Sequence, residues 1–292
     1  MGELLINVVF PLYLLIGVGY LFGKLKGELE TSSISFLVLY FFAPALVFSS
    51  FKRVELPLKY SLFIAFASLW VFLFTYSFSK LFARKREPAF YLSATVMNAG
   101  YLGIPLIYLL FGEKALPYGV SYMVFMAVYH FTLGILILNP GKLREGIISA
   151  LKVPLIYAAV LAFLFKGINL PPGIEKILEL TGNSTMPLML VSIGISLSKV
   201  SLKEIKEALL GTVLRFLGGT LGALLFVKAV PVPPLLGKVI LVQSSLPSAV
   251  LNFVLCQKFN RSPEVAASII FLSTLLFLLY LPLLKLLLNL VF

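Results

Sequence analysis

Long apolar runs, separated by short polar loops, make up almost the whole chain. Each run has about 20 residues, the length of a helix that crosses the hydrocarbon core of a bilayer. Only 12% of the 292 residues are charged, against about 25% in a soluble domain. The core of a water-soluble protein therefore cannot account for the apolar runs. The ten candidate spans are Leu4–Gly23, Ser32–Phe51, Leu58–Phe82, Pro88–Phe111, Pro117–Leu138, Gly146–Phe165, Ile174–Leu197, Ala208–Val230, Leu236–Gln257 and Pro263–Leu288. The sequence predicts an all-α membrane protein with ten transmembrane helices and no soluble domain.

Composition excludes several kinds of function. The single cysteine, Cys256, rules out an intrachain disulfide, and a single histidine rules out a multi-histidine metal site. The net charge of +12 is spread over short loops, so we expect no nucleic-acid partner. No nucleophile, base and orienting acid can be assembled within the spans. We therefore expect no metal, no cofactor and no enzymatic activity from a chain that lies in a lipid bilayer.

Three prolines of the first half recur 142 or 143 residues later, in order and at matching places in their spans. The pairs are Pro11 and Pro154, Pro44 and Pro187, and Pro105 and Pro247. This spacing predicts two five-helix repeats, residues 1–140 and 141–292. Because five is odd, the second repeat would be inverted in the membrane, as in many secondary transporters. The alternative is a generic helix bundle with coincidental prolines.

The stretch from Met97 to Pro105 is predicted to break the fourth span near the bilayer centre. Pro105 lacks the amide hydrogen that a helix needs, and Gly100 and Gly103 offer little resistance to unwinding. Non-helical backbone at this depth is tolerated only where it is buried in protein or lines a polar cavity. We therefore expect a binding site here. Its predicted residues are Asn98, Gly100, Tyr101, Gly103 and Pro105.

The ninth span carries a counterpart at the equivalent place. Polar side chains surround Pro247 there and continue one turn further. They are Gln243, Ser244, Ser245, Ser248 and Asn252. Two broken helices should meet at the bilayer midplane, with the amino ends of their second halves facing one volume. Each amino end carries about half a positive charge, so an anion would be favoured between them.

Two ionisable residues lie well inside spans. His130, in the fifth span, could carry a proton near neutral pH or act as a neutral hydrogen-bond donor to a neighbouring helix. Arg215, in the eighth span, could snorkel to the interface or add positive potential to the cavity. Its nearness to the cytoplasmic end of the span favours snorkelling.

The positions of acidic and basic residues also bear on which ion could be coupled to transport and on how the chain is oriented in the membrane. The chain has no aspartate, and its twelve glutamates all lie in loops or at span ends. Exchange of protons for metal cations through a buried carboxylate is therefore not expected. Lys and Arg are more numerous on the loops after the odd-numbered spans than on the others. By the positive-inside rule, both termini lie outside and Ala83–Arg86 faces the cytoplasm of a cell (plasma) membrane.

Several of these stretches together resemble the auxin efflux carrier family, which includes the plant PIN-formed auxin exporters and many bacterial carriers. The matching stretches are Asn98–Leu106, Met186–Leu188 with Ile193–Leu197, and Leu246–Ala249 with Glu264–Ser268. The resemblance covers essentially the whole chain and is that of a bacterial member. The loop between the halves, Asn139–Glu145, is short, so the loop-based phosphorylation control of the plant proteins is not expected.

The resemblance implies a fold and a function. Spans 4 and 9 would cross as broken helices in a core that moves like an elevator, and spans 1, 2, 6 and 7 would form a scaffold that dimerises. Family substrates are organic anions such as auxin or small dicarboxylates. By the motif match, Asn98 would hydrogen-bond the substrate carboxylate.

The sequence therefore favours a secondary transporter of small organic anions, acting as a homodimer. One alternative is a sodium-coupled carrier of the bile-acid symporter type, in which carbonyl groups freed at the breaks, together with Asn98, Gln243 and Ser244, would bind sodium. Another is a membrane sensor that binds a ligand without moving it.

Overall fold

The structure, a computed structural model, describes residues 5–26, 31–53, 56–200 and 204–292. Within this part the regular secondary structure is helical. Six helices are long and apolar enough to cross a bilayer. They are α1 (Ile6–Leu25), α3 (Leu58–Phe82), α5 (Glu113–Leu138), α7 (Pro172–Ser198), α8 (Ile205–Ala229) and α10 (Pro263–Val291). These helices make the chain a multi-pass membrane protein.

The other predicted spans contain shorter or interrupted helices. A pair bent by 48° forms the sixth, α6a (Leu143–Leu151) with α6b (Pro154–Leu164), and would make a seventh crossing. The remaining helices are α2 (Val38–Lys52), α4a (Pro88–Thr95), α4b (Gly103–Phe111), α9a (Pro234–Ser244) and α9b (Leu251–Lys258). The count of ten spans therefore stays a prediction. Leu4, the predicted start of the first span, lies outside the described residues.

Prolines set the beginnings of many of these helices. A proline occupies the first position of α4a, α6b, α7, α9a and α10. The first amide of a helix has no partner within the helix, so the missing hydrogen of proline costs nothing there, and its fixed φ suits the helix. At the other end of α4b, Gly112 adopts a φ of +74°, which a residue with a side chain rarely does.

The helices pack in two groups. In the first, α1 packs along α7, and α2 packs against α6b and α7. Backbone meets backbone at two glycines, because a side chain on Gly19 would collide with the Val191 carbonyl and one on Gly194 with the Ile16 carbonyl. The second group contains α3, α5, α8 and α10 around the interrupted helices α4 and α9.

The two predicted interruptions are confirmed, and they meet. Residues 96–102 separate α4a from α4b, and residues 245–250 separate α9a from α9b. The two stretches run antiparallel and share two backbone hydrogen bonds, from Asn98 N–H to Pro247 O at 2.8 Å and from Ala249 N–H to Val96 O at 3.0 Å. We call this pairing the crossover.

One detail of the break differs from the sequence-based expectation. The first break begins at residue 96 and ends before Gly103, so Pro105 lies in the first turn of α4b instead of inside the break. A proline in the first turn stabilises the start of a helix. Pro105 therefore helps α4b to restart, whereas Pro247 lies in the non-helical stretch itself.

Candidate functional site

A cavity of about 70 Å³ lies at the crossover, where α4b and α9b begin. Residues just before each helix line it: Asn98, Ala99, Gly100 and Tyr101 from the first break, and Ala249, Val250 and Leu251 from the second. The first amides of a helix lack intrahelical acceptors and carry the positive end of its dipole. Both amino ends therefore contribute positive potential to one small volume.

Two buried polar side chains line this crossover cavity. Asn98 is 3% exposed and His130 is 4% exposed. Among the described residues, the amide nitrogen Nδ2 of Asn98 and the ring nitrogen Nε2 of His130 have no hydrogen-bond partner. Unsatisfied buried polar atoms are costly, so these two nitrogens mark a place for a ligand or water.

The rest of the cavity wall is apolar and comes from both helix groups. Met97, Met123 and Met126 line it from the α4 and α5 side, whereas Leu155 and Met189 line it from α6b and α7. Methionine side chains are flexible and polarisable and adapt to irregular apolar shapes. The site therefore combines a few polar groups with an adaptable apolar wall, at the boundary between the two groups of helices.

The other residues predicted for the site lie outside the lining of this cavity. Those closest to it maintain the second break: Asn252 Nδ2 donates to Ser248 Oγ at 3.0 Å and to Val96 O at 3.2 Å, and Ser248 N–H donates to Ser273 Oγ at 3.1 Å. Pro247 accepts the backbone hydrogen bond from Asn98. These groups replace the helical hydrogen bonds that the break removes.

The polar residues at the end of α9a face neighbouring helices. Gln243 Nε2 donates to Gly119 O at 3.2 Å, and its side chain packs where a side chain on Gly103 would lie. Ser244 Oγ lies 2.8 Å from Tyr122 Oη, and Ser245 Oγ lies 2.8 Å from Thr220 Oγ1. The run of polar residues thus joins α9a to α5 and α8.

Arg215 neither snorkels nor lines the crossover cavity, and the expectation of snorkelling was wrong. Its side chain is 0% exposed. The guanidinium donates to the carbonyl oxygens of Thr95 and of Ala94 (3.4 Å) in α4a, and of Ser244 (2.7 Å) in α9a. These carbonyls end the first halves of both broken helices, so Arg215 caps the two carboxyl ends.

A larger cavity of about 700 Å³, here called the vestibule, adjoins the crossover cavity. The two share Tyr101, Phe131, Val250 and Leu251 among their lining residues. Three lysines, Lys152, Lys199 and Lys258, and one acidic residue, Glu264, also line the vestibule. The excess of basic side chains makes it attractive to anions.

A third cavity, of about 210 Å³, is lined by Glu113 and Glu179 together with Ser49, Ser50 and Asn183. It shares no lining residue with the crossover cavity. The crossover cavity therefore adjoins the lysine-lined vestibule and shares no wall residue with the glutamate-lined cavity.

The family model described as "Membrane transport protein" matches residues 4–146 and 142–285. A protein of Methanothermobacter thermautotrophicus, named as an uncharacterized transporter, is 27% identical over 290 residues, covering 95% of this chain and 96% of its own length. An uncharacterized transporter of Methanocaldococcus jannaschii is 28% identical, covering 92% and 94% of the two chains. Both relatives are archaeal, so the resemblance to bacterial and plant carriers is coarse.

Proposed function

Because the chain belongs to the membrane transport protein family, and is a transporter and not an enzyme, we propose that it is a secondary carrier of small organic anions. The observation that carries this proposal is the convergence of two helix amino ends on the crossover cavity. Together the two amino ends offer about one positive charge, which comes from the backbone and needs no charged side chain or bound cation. The cavity lining, as far as the described residues form it, contains no carboxylate that would repel an anion.

Asn98 is the residue proposed to contact the substrate carboxylate. Its Nδ2 has two hydrogens and no partner among the described residues, and the residue lines the cavity at which both helices begin. A bond from an amide to a carboxylate is stronger than one between neutral groups, yet weaker than an ion pair in a dry site. Such a site holds an anion but also releases it.

The substrate would have an apolar body as well as a carboxylate. The methionines and leucines of the cavity wall can contact an apolar body, while the breaks hold the charged end. The vestibule lysines raise the local concentration of anions at the entrance. The apolar wall supports an organic anion over an inorganic one, and the lysines support an anion over a cation.

The proposed transport cycle is an elevator-type movement of the second helix group against the first. Two observations support it. The crossover cavity lies at the boundary between the groups, and it shares wall residues with the vestibule but none with the glutamate-lined cavity. Sliding of the crossover along α1, α2, α6 and α7 would transfer the site to the glutamate-lined side. The first group is the proposed homodimer surface, as the resemblance to the auxin efflux carrier family implies.

Orientation follows from the basic loops. Lys152 follows α6a, Lys199 follows α7 and Lys258 ends α9b, and the positive-inside rule assigns all three positions to the cytoplasmic side. The proposed vestibule therefore opens to the cytoplasm of the cell membrane, with both termini outside. His130 is the proposed proton-binding residue if transport is coupled to protons, because it lines the cavity beside Asn98.

Transport into sealed vesicles tests the proposal. Purified protein is reconstituted into liposomes and uptake is measured for pairs of compounds that share an apolar body but differ in a carboxylate or an ammonium group. Uptake of the carboxylates alone is expected, and it should fall in Asn98→Ala but not in Asn169→Ala, a change at an exposed loop residue. Uptake of the cations instead would contradict the proposal, and binding without any uptake would favour the sensor.

A further inference from the structure

Arg215 is a buried charge without a carboxylate partner among the described residues. It is the largest of the fully buried side chains, and the ion pairs found in the described part of the chain do not include it. A buried cation is costly unless it is compensated. The compensation here comes from the carbonyl oxygens of Thr95, Ala94 and Ser244.

The positive charge of Arg215 is balanced by the carboxyl ends of two helices. α4a ends at Thr95 and α9a ends at Ser244. Each carboxyl end carries about half a negative charge, so the two ends together offset about one positive charge. One guanidinium with several N–H donors in a planar fork can satisfy carbonyls from both helices at once.

Gly219, one helical turn after Arg215 in α8, leaves room for the guanidinium. A side chain on Gly219 would collide with Arg215 Nη2 and with the Ser244 carbonyl oxygen. Gly219 lies four residues after Arg215, on the same face of α8. Two positions of one helix are thus fitted to the carboxyl end of α9a.

We propose that Arg215 is a built-in cation, which occupies the place where an exchangeable metal cation would otherwise bind the carbonyls of both broken helices. It is a positioning residue that locks α4a, α8 and α9a into one unit. A carrier with a covalently attached cation at this place needs no sodium ion to assemble its substrate site. The proposal does not depend on the identity of the substrate.

Rescue by a small cation tests the proposal in the purified full-length protein. The unfolding midpoint is measured in detergent for the wild type, Arg215→Ala and Arg215→Lys. Arg84→Ala is the matched control, because Arg84 is exposed in a loop. Each protein is measured in N-methylglucamine chloride, sodium chloride and guanidinium chloride at equal millimolar concentration, and in urea, which has the shape of guanidinium without its charge.

The wild type and Arg84→Ala are expected to give the same midpoint in the three salts. Arg215→Ala should lose about 5 °C or more and recover at least half of the loss in guanidinium, less in sodium and none in urea. Arg215→Lys should keep most of the midpoint without any addition. Equal recovery in urea and guanidinium, or no recovery in either, would overturn the proposal.

A second variant keeps the test decisive if Arg215→Ala cannot be purified. Arg215→Met has a similar length and no charge. Folded protein from Arg215→Lys but not from Arg215→Met supports the built-in cation, whereas normal folding of Arg215→Met, or equal loss of both variants, contradicts it. If the protein takes up no anion but guanidinium still restores the midpoint of Arg215→Ala, the proposed substrate class is wrong and the proposal for Arg215 is still supported.

Discussion

The backbone amide of Asn98 donates a hydrogen bond of 2.8 Å to the carbonyl oxygen of Pro247. These residues are in the two broken helices, on opposite halves of the chain. Their pairing directs the side chain of Asn98 and the amino ends of α4b and α9b into the same cavity. The bond is made by the backbone, so the Asn98 side chain can be changed without removing it.

Asn98→Ala should therefore lower anion affinity without unfolding the protein. We expect a loss of about tenfold or more, the cost of removing one hydrogen bond to a charged group. The apparent affinity of a stabilising carboxylate, measured by the shift of the unfolding midpoint, checks it. The midpoint without ligand should stay near that of the wild type. An unchanged affinity would mean that Asn98 does not contact the substrate.

Gly103→Ala should destabilise the start of α4b. A side chain there would collide with Gln243 Oε1 and approach Leu246 Cδ1 to 2.8 Å. Overpacking of this kind costs about 1–3 kcal/mol. Gly17→Ala is the control, because a side chain on Gly17 has no heavy atom within 4 Å outside its own helix and neighbours. Denaturation of both variants should show a loss for the first and none for the second.

Neutral substitutions of the vestibule lysines should weaken uptake in a salt-dependent way. Lys152→Gln and Lys258→Gln remove charges at the entrance to the crossover cavity. We expect a rise in the apparent KM of about two- to fivefold for each at low ionic strength, shrinking as salt screens the remaining charges. Lys114→Gln, at an exposed position outside the vestibule lining, should have no effect. An equal effect of all three would argue against steering by the vestibule.

His130→Gln tests whether a proton takes part in transport. The imidazole is the only one in the chain, lines the cavity beside Asn98 and is the side chain that ordinarily titrates between about pH 5 and 8. We expect any dependence of uptake on pH in this range to disappear in the variant, with uptake itself retained. Uptake measured in both proteins across the range checks it. The same pH profile in both would place the titrating group elsewhere.

The sequence was sufficient to predict the two breaks and their meeting. Proline and glycine act locally, so the positions of Pro105, Pro247 and Gly103 already indicate where a helix cannot continue unchanged. The proline spacing also suggested that the two breaks are equivalent. The helical character of the chain and its membrane location followed from apolar runs, which require no knowledge of packing.

The roles of most polar residues could not be predicted from the sequence. Ser248 and Asn252 bond to the break itself, and Gln243 bonds to α5, because a polar side chain beside a break can serve the backbone as well as a ligand. Arg215 was misjudged because its distance from the end of a span says nothing about the carbonyls of two other helices. The vestibule lysines converge from the ends of three different helices, which tertiary structure alone can reveal.

The crossover is proposed to hold the carboxylate of an organic anion. The most direct test is the unfolding midpoint of the wild-type protein and of Asn98→Ala, measured with an aromatic carboxylic acid and with the amine of the same ring. We expect the acid to raise the wild-type midpoint, the amine to leave it unchanged, and the effect of the acid to be largely lost in Asn98→Ala. Stabilisation by the amine alone, or by the acid equally in both proteins, would contradict it.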